Sequence, residues 1–318
     1  LYFAFISINL FNFFPVDVTM SNQDQMIMDG LFRDLVEVVS SSKASLITLR
    51  CLSEAIDQLD CSPDDLVTQI DGATEVILKS RPRMFPLDNQ IPLFQMKLRE
   101  SGITGDGNKI KLEAKKILGE LSNQLKEDLL ILTQRSTEYI EDGDIIIIHS
   151  VEETVEMLLP EAKRAGKNFE VLILKQDIVK TRQVIKTMDR EGIKYRIIPE
   201  YDLVHYFNEA TKLFIGAQAI TSDKKVVADS GTSNIVSECH IHKLPIYLFA
   251  LTLEFSGKIA EEQNIYLKKQ SDFVGDLEFK IQSHSHDIFQ LDLVDLLITE
   301  KGEIAIEQVL DYVPLNDD

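Results

Sequence analysis

The sequence predicts an α/β protein: an N-terminal helical domain, then a doubly wound, mostly parallel sheet domain. Two observations carry the prediction. Five apolar bursts recur between 144 and 250: Asp144-Ile-Ile-Ile-Ile-His149, Phe169-Glu-Val-Leu-Ile-Leu174, Lys194-Tyr-Arg-Ile-Ile198, Lys212-Leu-Phe-Ile-Gly-Ala217 and Pro245-Ile-Tyr-Leu-Phe-Ala250. Polar amphipathic stretches of helical length separate most of them, an alternation expected of a parallel sheet with helices on both faces. From Ser21 to about Tyr139, by contrast, apolar residues repeat only at helical spacing. The sheet domain is therefore read as Rossmann-like. In such sheets ligands bind beyond the carboxyl ends of the strands. The residues just past those ends include Ser150, Gln176 and Gln218, none a strong acid, base or nucleophile unaided. The pattern predicts a binding cleft rather than a catalytic one.

Within the helical part, taken as 21–141, Leu31-Phe32, Leu35-Val36 and Val38-Val39 form one apolar face. Leu46, Leu49, Leu52, Ala55-Ile56 and Leu59 form the next. Ser62-Pro63-Asp64-Asp65 reads as a helix start, with Ser62 as cap, Pro63 in the first turn and acids on the positive end of the dipole. Ser80-Arg-Pro-Arg-Met-Phe-Pro-Leu-Asp-Asn89 breaks the run, because prolines four apart cannot both sit inside one helix. A Gly/Asp-rich loop (101–108) precedes a long amphipathic helix over about 109–140, and Glu141-Asp-Gly-Asp144 is the turn into the sheet domain, 142–318. Residues 1–20 open with an apolar, aromatic, uncharged run to Phe14. That run is too short to span a bilayer and lacks the basic flank and cleavage site of a signal peptide. It reads as an extension upstream of Met20 or, less favoured, as an apolar arm for a partner.

With 318 residues and 44% apolar content the chain can bury a sizeable core. Its net charge of −19 argues against nucleic acid as a partner, since phosphates are repelled. No other stretch reaches membrane-spanning length, so a cytoplasmic protein without a membrane is expected. Cys51, Cys61 and Cys239 leave an odd thiol under any pairing and read as small hydrophobes in a reducing compartment. Cys239-His-Ile-His242 resembles a ligand cluster, but residues one and three apart on a helix cannot all face one metal. No metal and no cofactor is expected.

In the sheet domain, Ser150-Val-Glu-Glu153 fits a capping box, so Ser150 is expected to start a helix rather than act as a nucleophile. No Gly-x-Ser-x-Gly elbow surrounds it. Its neighbour His149 points to the opposite face of the strand. Asp229-Ser-Gly-Thr232 sits at a helix start where amides and a hydroxyl could hold an anion. Asp229 would repel that anion, so capping is its expected role. Past Ala250 a polar, less regular stretch runs to about Asp287, then a last strand (293–299) and a terminal helix (303–312). Walker loops, Gly-x-Gly-x-x-Gly, His-Glu-x-x-His and internal repeats are absent.

Several segments together resemble one superfamily over about residues 30 to 312. They are 80–89; Arg182 in the helix leading to Glu191-Gly192-Ile193; Leu213-Phe-Ile-Gly-Ala-Gln-Ala-Ile220; Gly231-Thr232; Leu251-Thr-Leu-Glu-Phe255; and Val294-Asp-Leu-Leu-Ile-Thr-Glu-Lys-Gly302. The chain resembles the initiation factor 2B alpha, beta and delta regulatory subunits, whose superfamily includes ribose-1,5-bisphosphate and methylthioribose-1-phosphate isomerases. The resemblance implies a partner-binding helical domain and pairing through sheet domains, hence a homodimer or a hetero-oligomer of related subunits, with a translation initiation factor as a further partner.

The departures bear on chemistry. The resemblance places Ser150 where the isomerases carry a cysteine and Gln218 where they carry an aspartate. A serine hydroxyl is far less acidic than a thiol, and an amide does not exchange a proton near neutral pH. Gln176 stands where an arginine is usual and Ala228-Asp229 where Asn-Lys is usual, while Arg182 remains, with Lys175 or Lys180 as helpers. The expectation is a non-catalytic regulatory protein without catalytic residues, whose degenerate cleft could take a phosphorylated metabolite through Arg182, Gln176, Gly231 and Thr232. The alternative is a sugar-phosphate isomerase drawing on His149, Asp177, Asp202, His205 or Asp229, and a third reading is a metabolite sensor outside translation.

Overall fold

The computed structural model describes residues 22–175, 178–263, 265, 267–274 and 277–313. The chain divides into two compact units, 1–128 and 129–318.

The first unit is helical: α1 (Asn22–Val38), α2 (Ser41–Gln58), α3 (Pro63–Lys79), α4 (Phe85–Glu100) and the leading part of α5 (Gly107–Ser136), within which the division falls. Local chemistry sets the helix starts. The Ser40 hydroxyl accepts the Lys43 N–H at 3.2 Å, and Ser62 accepts that of Asp65 at 3.2 Å, as its Ser-Pro-Asp-Asp sequence predicts. The 80–89 break contains a cis Arg81–Pro82 bond, and Pro86 falls in the first turn of α4, where its missing N–H has no helical partner to lose. Phe32, Leu49, Leu52, Ile70, Ile91 and Phe94 fill the core of this unit.

The second unit carries a seven-stranded sheet. Its strands are β1 (Ile145–His149), β2 (Glu170–Leu174), β3 (Lys194–Ile198), β4 (Lys212–Gly216), β7 (Ile246–Phe249), β12 (Leu296–Thr299) and β13 (Gly302–Ile304). In space the order is β13-β12-β7-β4-β1-β2-β3, parallel throughout except where β13 turns back antiparallel on β12. Ile146 to Ile148 are buried, because a central parallel strand has both faces covered and wants an unbroken apolar run. Helices α6 (Glu153–Arg164) and α7 (Ile178–Glu191) make the β1–β2 and β2–β3 crossovers and pack on one another. Chain order runs outward from β1 through β2 to β3, then reverses through β4, β7 and β12. The switch point thus lies between β1 and β4.

The sequence reading missed a second layer. After β4, a hairpin of β5 (Ala219–Thr221) and β6 (Lys225–Asp229) leads into α8 (Thr232–Ile241). The stretch read as irregular contains β8 (Phe255–Ser256), the paired strands β9 (Leu267–Val274) and β10 (Leu277–His284), and β11 (His286–Gln290). β11, β6, β5 and β8 form a four-stranded sheet whose Val226, Ile220, Phe255 and Phe289 join the same core as Ile147, Leu213 and Leu248. The expected terminal helix is also corrected. Gly302–Ile304 pairs as β13, and Ile306–Tyr312 winds only as a 3-10 helix. β12 is shorter than expected because a 3-10 turn, Leu291–Leu293, precedes it. Residues 1–21, Gln176 and Asp177 lie outside the described residues.

Candidate functional site

The crevice beyond β1 and β4 is where a doubly wound sheet offers a ligand site. Here the chain itself occupies it. Past His149 the backbone turns at Ser150, whose φ of +47° lies in the left-handed region that non-glycine residues seldom adopt. Three bonds hold that turn. The Ser150 carbonyl oxygen accepts the N–H of Glu152 at 2.9 Å and of Gly216, at the end of β4, at 2.9 Å. The Ser150 hydroxyl accepts the N–H of Asp229, at the end of β6, at 3.1 Å. The expected capping box is therefore absent: Glu152 precedes α6, and no side chain caps it. A serine drawn into the β1–β4–β6 junction cannot reach the amides of α6.

Gly216 is required by this arrangement. A Cβ placed on it would lie 2.5 Å from Glu152 Cβ and 3.2 Å from Glu152 N. The segment leading into α6 thus lies directly on the tip of β4. Two residues on, Gln218 Nε2 donates to Asp229 Oδ1 at 3.0 Å. Ser150 and Gln218, the positions that the resemblance sets against the isomerase cysteine and aspartate, are thus brought together on Asp229.

The start of α8 is filled as well. Asp229 does not cap it. Gly231 does, with a φ of +96° that suits glycine, and the anion at its amides is the Asp287 carboxylate from β11. Asp287 Oδ2 accepts from Gly231 N at 2.9 Å, Ser233 N at 3.1 Å and Ser233 Oγ at 2.9 Å. The helix N-terminus attracts negative charge as expected, but a carboxylate of the chain supplies it.

His149 closes the other side. Buried completely, its ring bridges Thr232 Oγ1 at Nδ1 (3.0 Å) and Glu200 Oε1 at Nε2 (3.1 Å). The Thr232 hydroxyl already donates to the Asp229 carbonyl oxygen at 2.6 Å. Toward the ring it can only accept, which places a hydrogen on Nδ1. Both ring nitrogens are engaged, and Glu200 Oε2 sits 3.2 Å from where a Gly231 Cβ would be. His149, Thr232 and Glu200 thus form one hydrogen-bonded chain linking the end of β1, the start of α8 and the 3-10 turn 200–205.

The remaining predicted residues lie elsewhere. Arg182 is exposed on α7 and lines a groove with Glu156, Gln183, Lys186, Thr187 and Arg190, without Gly231 or Thr232. Lys175 is exposed, and Asp202 and His205 face each other at 3.7 Å on an exposed 3-10 turn. Cys239 points inward, where burial pushes its thiol up to about 12, while His240 and His242 point outward. Among the described residues no three His, Cys, Asp or Glu side chains gather as a metal site, and no helix is long and apolar enough to cross a membrane. Sequence reasoning missed Glu200, Asp287 and Gly216. For Asp287 no local signal exists, since its partner amides lie more than fifty residues earlier.

The family model of the initiation factor 2 subunit family matches residues 37–306. The chain belongs to that family. Among relatives of this family, an eIF-2B subunit 2-like protein of Pyrococcus furiosus is 30% identical over 162 residues, 51% of this chain and 57% of the relative. The eIF2B subunit delta of Schizosaccharomyces pombe is 24% identical over 208 residues, 63% of this chain and 44% of the relative. The chain thus spans about half the length of these two. A ribose 1,5-bisphosphate isomerase of Archaeoglobus fulgidus is 21% identical over 242 residues, covering 74% of this chain and 76% of that enzyme. In fold, the chain is similar to Pyrococcus horikoshii eIF-2B, with a TM-score of 0.73, 22% identity and coverage of 90% and 98%. It is also similar to a chain of the tetrameric eIF2B-beta2-delta2 complex from C. thermophilum, with a TM-score of 0.70, 14% identity and coverage of 97% of both chains.

Proposed function

We propose that this family member is a non-catalytic regulatory subunit of the initiation factor 2B kind, working in the cytoplasm as a homodimer or a mixed oligomer of related subunits. The observation that carries this reading is the self-filled crevice at the β1–β4 switch point. Asp287 takes the α8 amides, Gln218 is spent on Asp229, and His149 is held at both nitrogens. Proton shuttling on a sugar carbonyl needs an acid or base free to meet substrate. Ser150, fully buried and accepting a backbone N–H, is not such a group. A phosphorylated metabolite contacting Gly231 and Thr232 would first have to displace a carboxylate that already receives hydrogen bonds from two amides and a hydroxyl. The likeness to an assembled beta–delta complex supports association with related subunits as the mode of action.

Two measurements test the proposal. Purified chain incubated with ribose 1,5-bisphosphate should give no ketose product, and sedimentation with purified beta- and delta-type subunits should give a complex. The isomerase reading, which the Archaeoglobus relative keeps open, would gain the upper hand if turnover appeared and vanished in His149→Gln or Asp229→Asn.

A further inference from the structure

The groove beside α7 is lined, among charged residues, mainly by cations in a chain of net charge −19. It encloses about 370 Å³ and is lined by Arg182, Lys186 and Arg190 against a single carboxylate, Glu156. The cations stand at i, i+4 and i+8, on one stripe of the helix. Nearby acids are largely spent. Glu191 binds Arg164 at 3.2 Å and Arg190 at 2.8 Å, and Asp189 accepts from the Tyr195 hydroxyl at 2.9 Å. Glu156 Oε1 lies 3.4 Å from both Gln183 Nε2 and Thr187 Oγ1. Arg182 and Lys186 have no hydrogen-bond or ion-pair partner among the described residues. In a chain of net charge −19, Arg182 and Lys186 share the groove with one carboxylate, Glu156, to which neither is bonded.

We infer that this groove is a docking site for an extended acidic segment of a partner protein. Spacing favours that occupant. Successive cations rise about 6 Å along the helix (four residues at 1.5 Å each), and one face of an extended strand repeats about every 6.6 Å. Carboxylates at alternate positions of a strand laid along α7 therefore meet Arg182, Lys186 and Arg190 in turn. A long polyanion such as RNA is disfavoured by the net charge of −19 that the whole chain carries. The inference does not depend on the regulatory reading above, since the groove lies apart from the switch-point crevice and would stand if the crevice turned over sugar phosphate.

The test is fluorescence anisotropy with a labelled peptide carrying Glu at alternate positions, run on the full chain beside a single-stranded RNA oligonucleotide and inorganic phosphate. The peptide should bind, more weakly as salt is raised. The double variant R182Q/K186Q should lose about fivefold or more, from two exposed charge pairs. A charge-matched control, R50Q/K126Q, changes two exposed cations in the other unit and should bind as the wild type does. The inference is overturned by absence of peptide binding, by equal losses in both variants, or by capture of the oligonucleotide or phosphate in place of the peptide. All four substituted side chains are exposed, and matching melting points establish that the variants fold.

Discussion

At the tips of β1, β4 and β6, groups that could receive an anion are met by the protein itself. Along α7, Arg182 and Lys186 lie open. Both regions belong to the same α/β unit, and both carry residues that the family resemblance implies as phosphate contacts: Gly231 and Thr232 in one, Arg182 in the other. The difference lies in what packs nearby. The crevice is crossed by the leading segment of α6, which seats Glu152 against Gly216, by the 3-10 turn that brings the Glu200 carboxylate to His149, and by β11, which brings the Asp287 carboxylate to the α8 amides. Among the described residues, none pairs with the groove's Arg182 or Lys186. Charge of the right sign and position becomes a site only where the tertiary structure leaves it unsatisfied.

Substitutions that open the crevice sharpen this contrast, and the largest effect is expected at Gly216. Gly216→Ala forces a methyl to within 2.5 Å of Glu152 Cβ. Since backbone as well as side chain must shift, a loss of about 3 kcal/mol is expected from overpacking, read as a lower urea midpoint. An unchanged midpoint would mean that the α6 lead is not seated on β4.

Asp287→Ala comes next. Losing a charged cap on α8 should cost about 2 kcal/mol, while Asp287→Asn, which keeps one acceptor, should lose less. The vacated amides should then take a free anion, so inorganic phosphate should raise the melting point of D287A more than that of the wild type. Equal responses in the two proteins would show that Asp287 is not what excludes anions there.

The smallest effect is a pH dependence far from either site. Glu170 is pushed up by burial, but its bonds to Lys194, at 2.5 Å, and Arg196 outweigh that and hold it below the usual carboxylate range. A carboxylate lowered in the folded state stabilises above its unfolded value, near about 4.3, and loses that contribution as pH falls through the folded value. Glu170→Gln should thus be less stable than wild type at neutral pH, with the gap closing below about pH 4. Urea midpoints across that range are the readout, and a gap that stays constant with pH would refute the linkage.

Much of the fold was legible in the residues. The five apolar bursts became β1, β2, β3, β4 and β7; the four inner strands are continuous apolar runs because both their faces are covered, while β3 lies half-exposed at the sheet edge. Ser62-Pro63 started α3 because capping is a local event. The layer formed by β5, β6, β8 and β11 was not legible. Its strands are short, they mix polar with apolar positions, and β11 finds its partner β6 across more than fifty residues. The Ser150 capping box failed for a related reason. A hydroxyl followed three residues later by a carboxylate predicts a cap only if both hydroxyl and backbone are free to wind, and here β4 had claimed the Ser150 carbonyl and β6 its hydroxyl.

Sequence alone determined the class of the protein and the positions of its central strands. Those properties reside in residue type and periodicity. Tertiary structure alone decided that Asp287 occupies the α8 amides, that His149 is latched between Thr232 and Glu200, and that Arg182 faces a groove instead of the crevice. Each of these depends on a partner dozens of residues away or on the helix face that packing leaves exposed, and one-dimensional spacing holds neither.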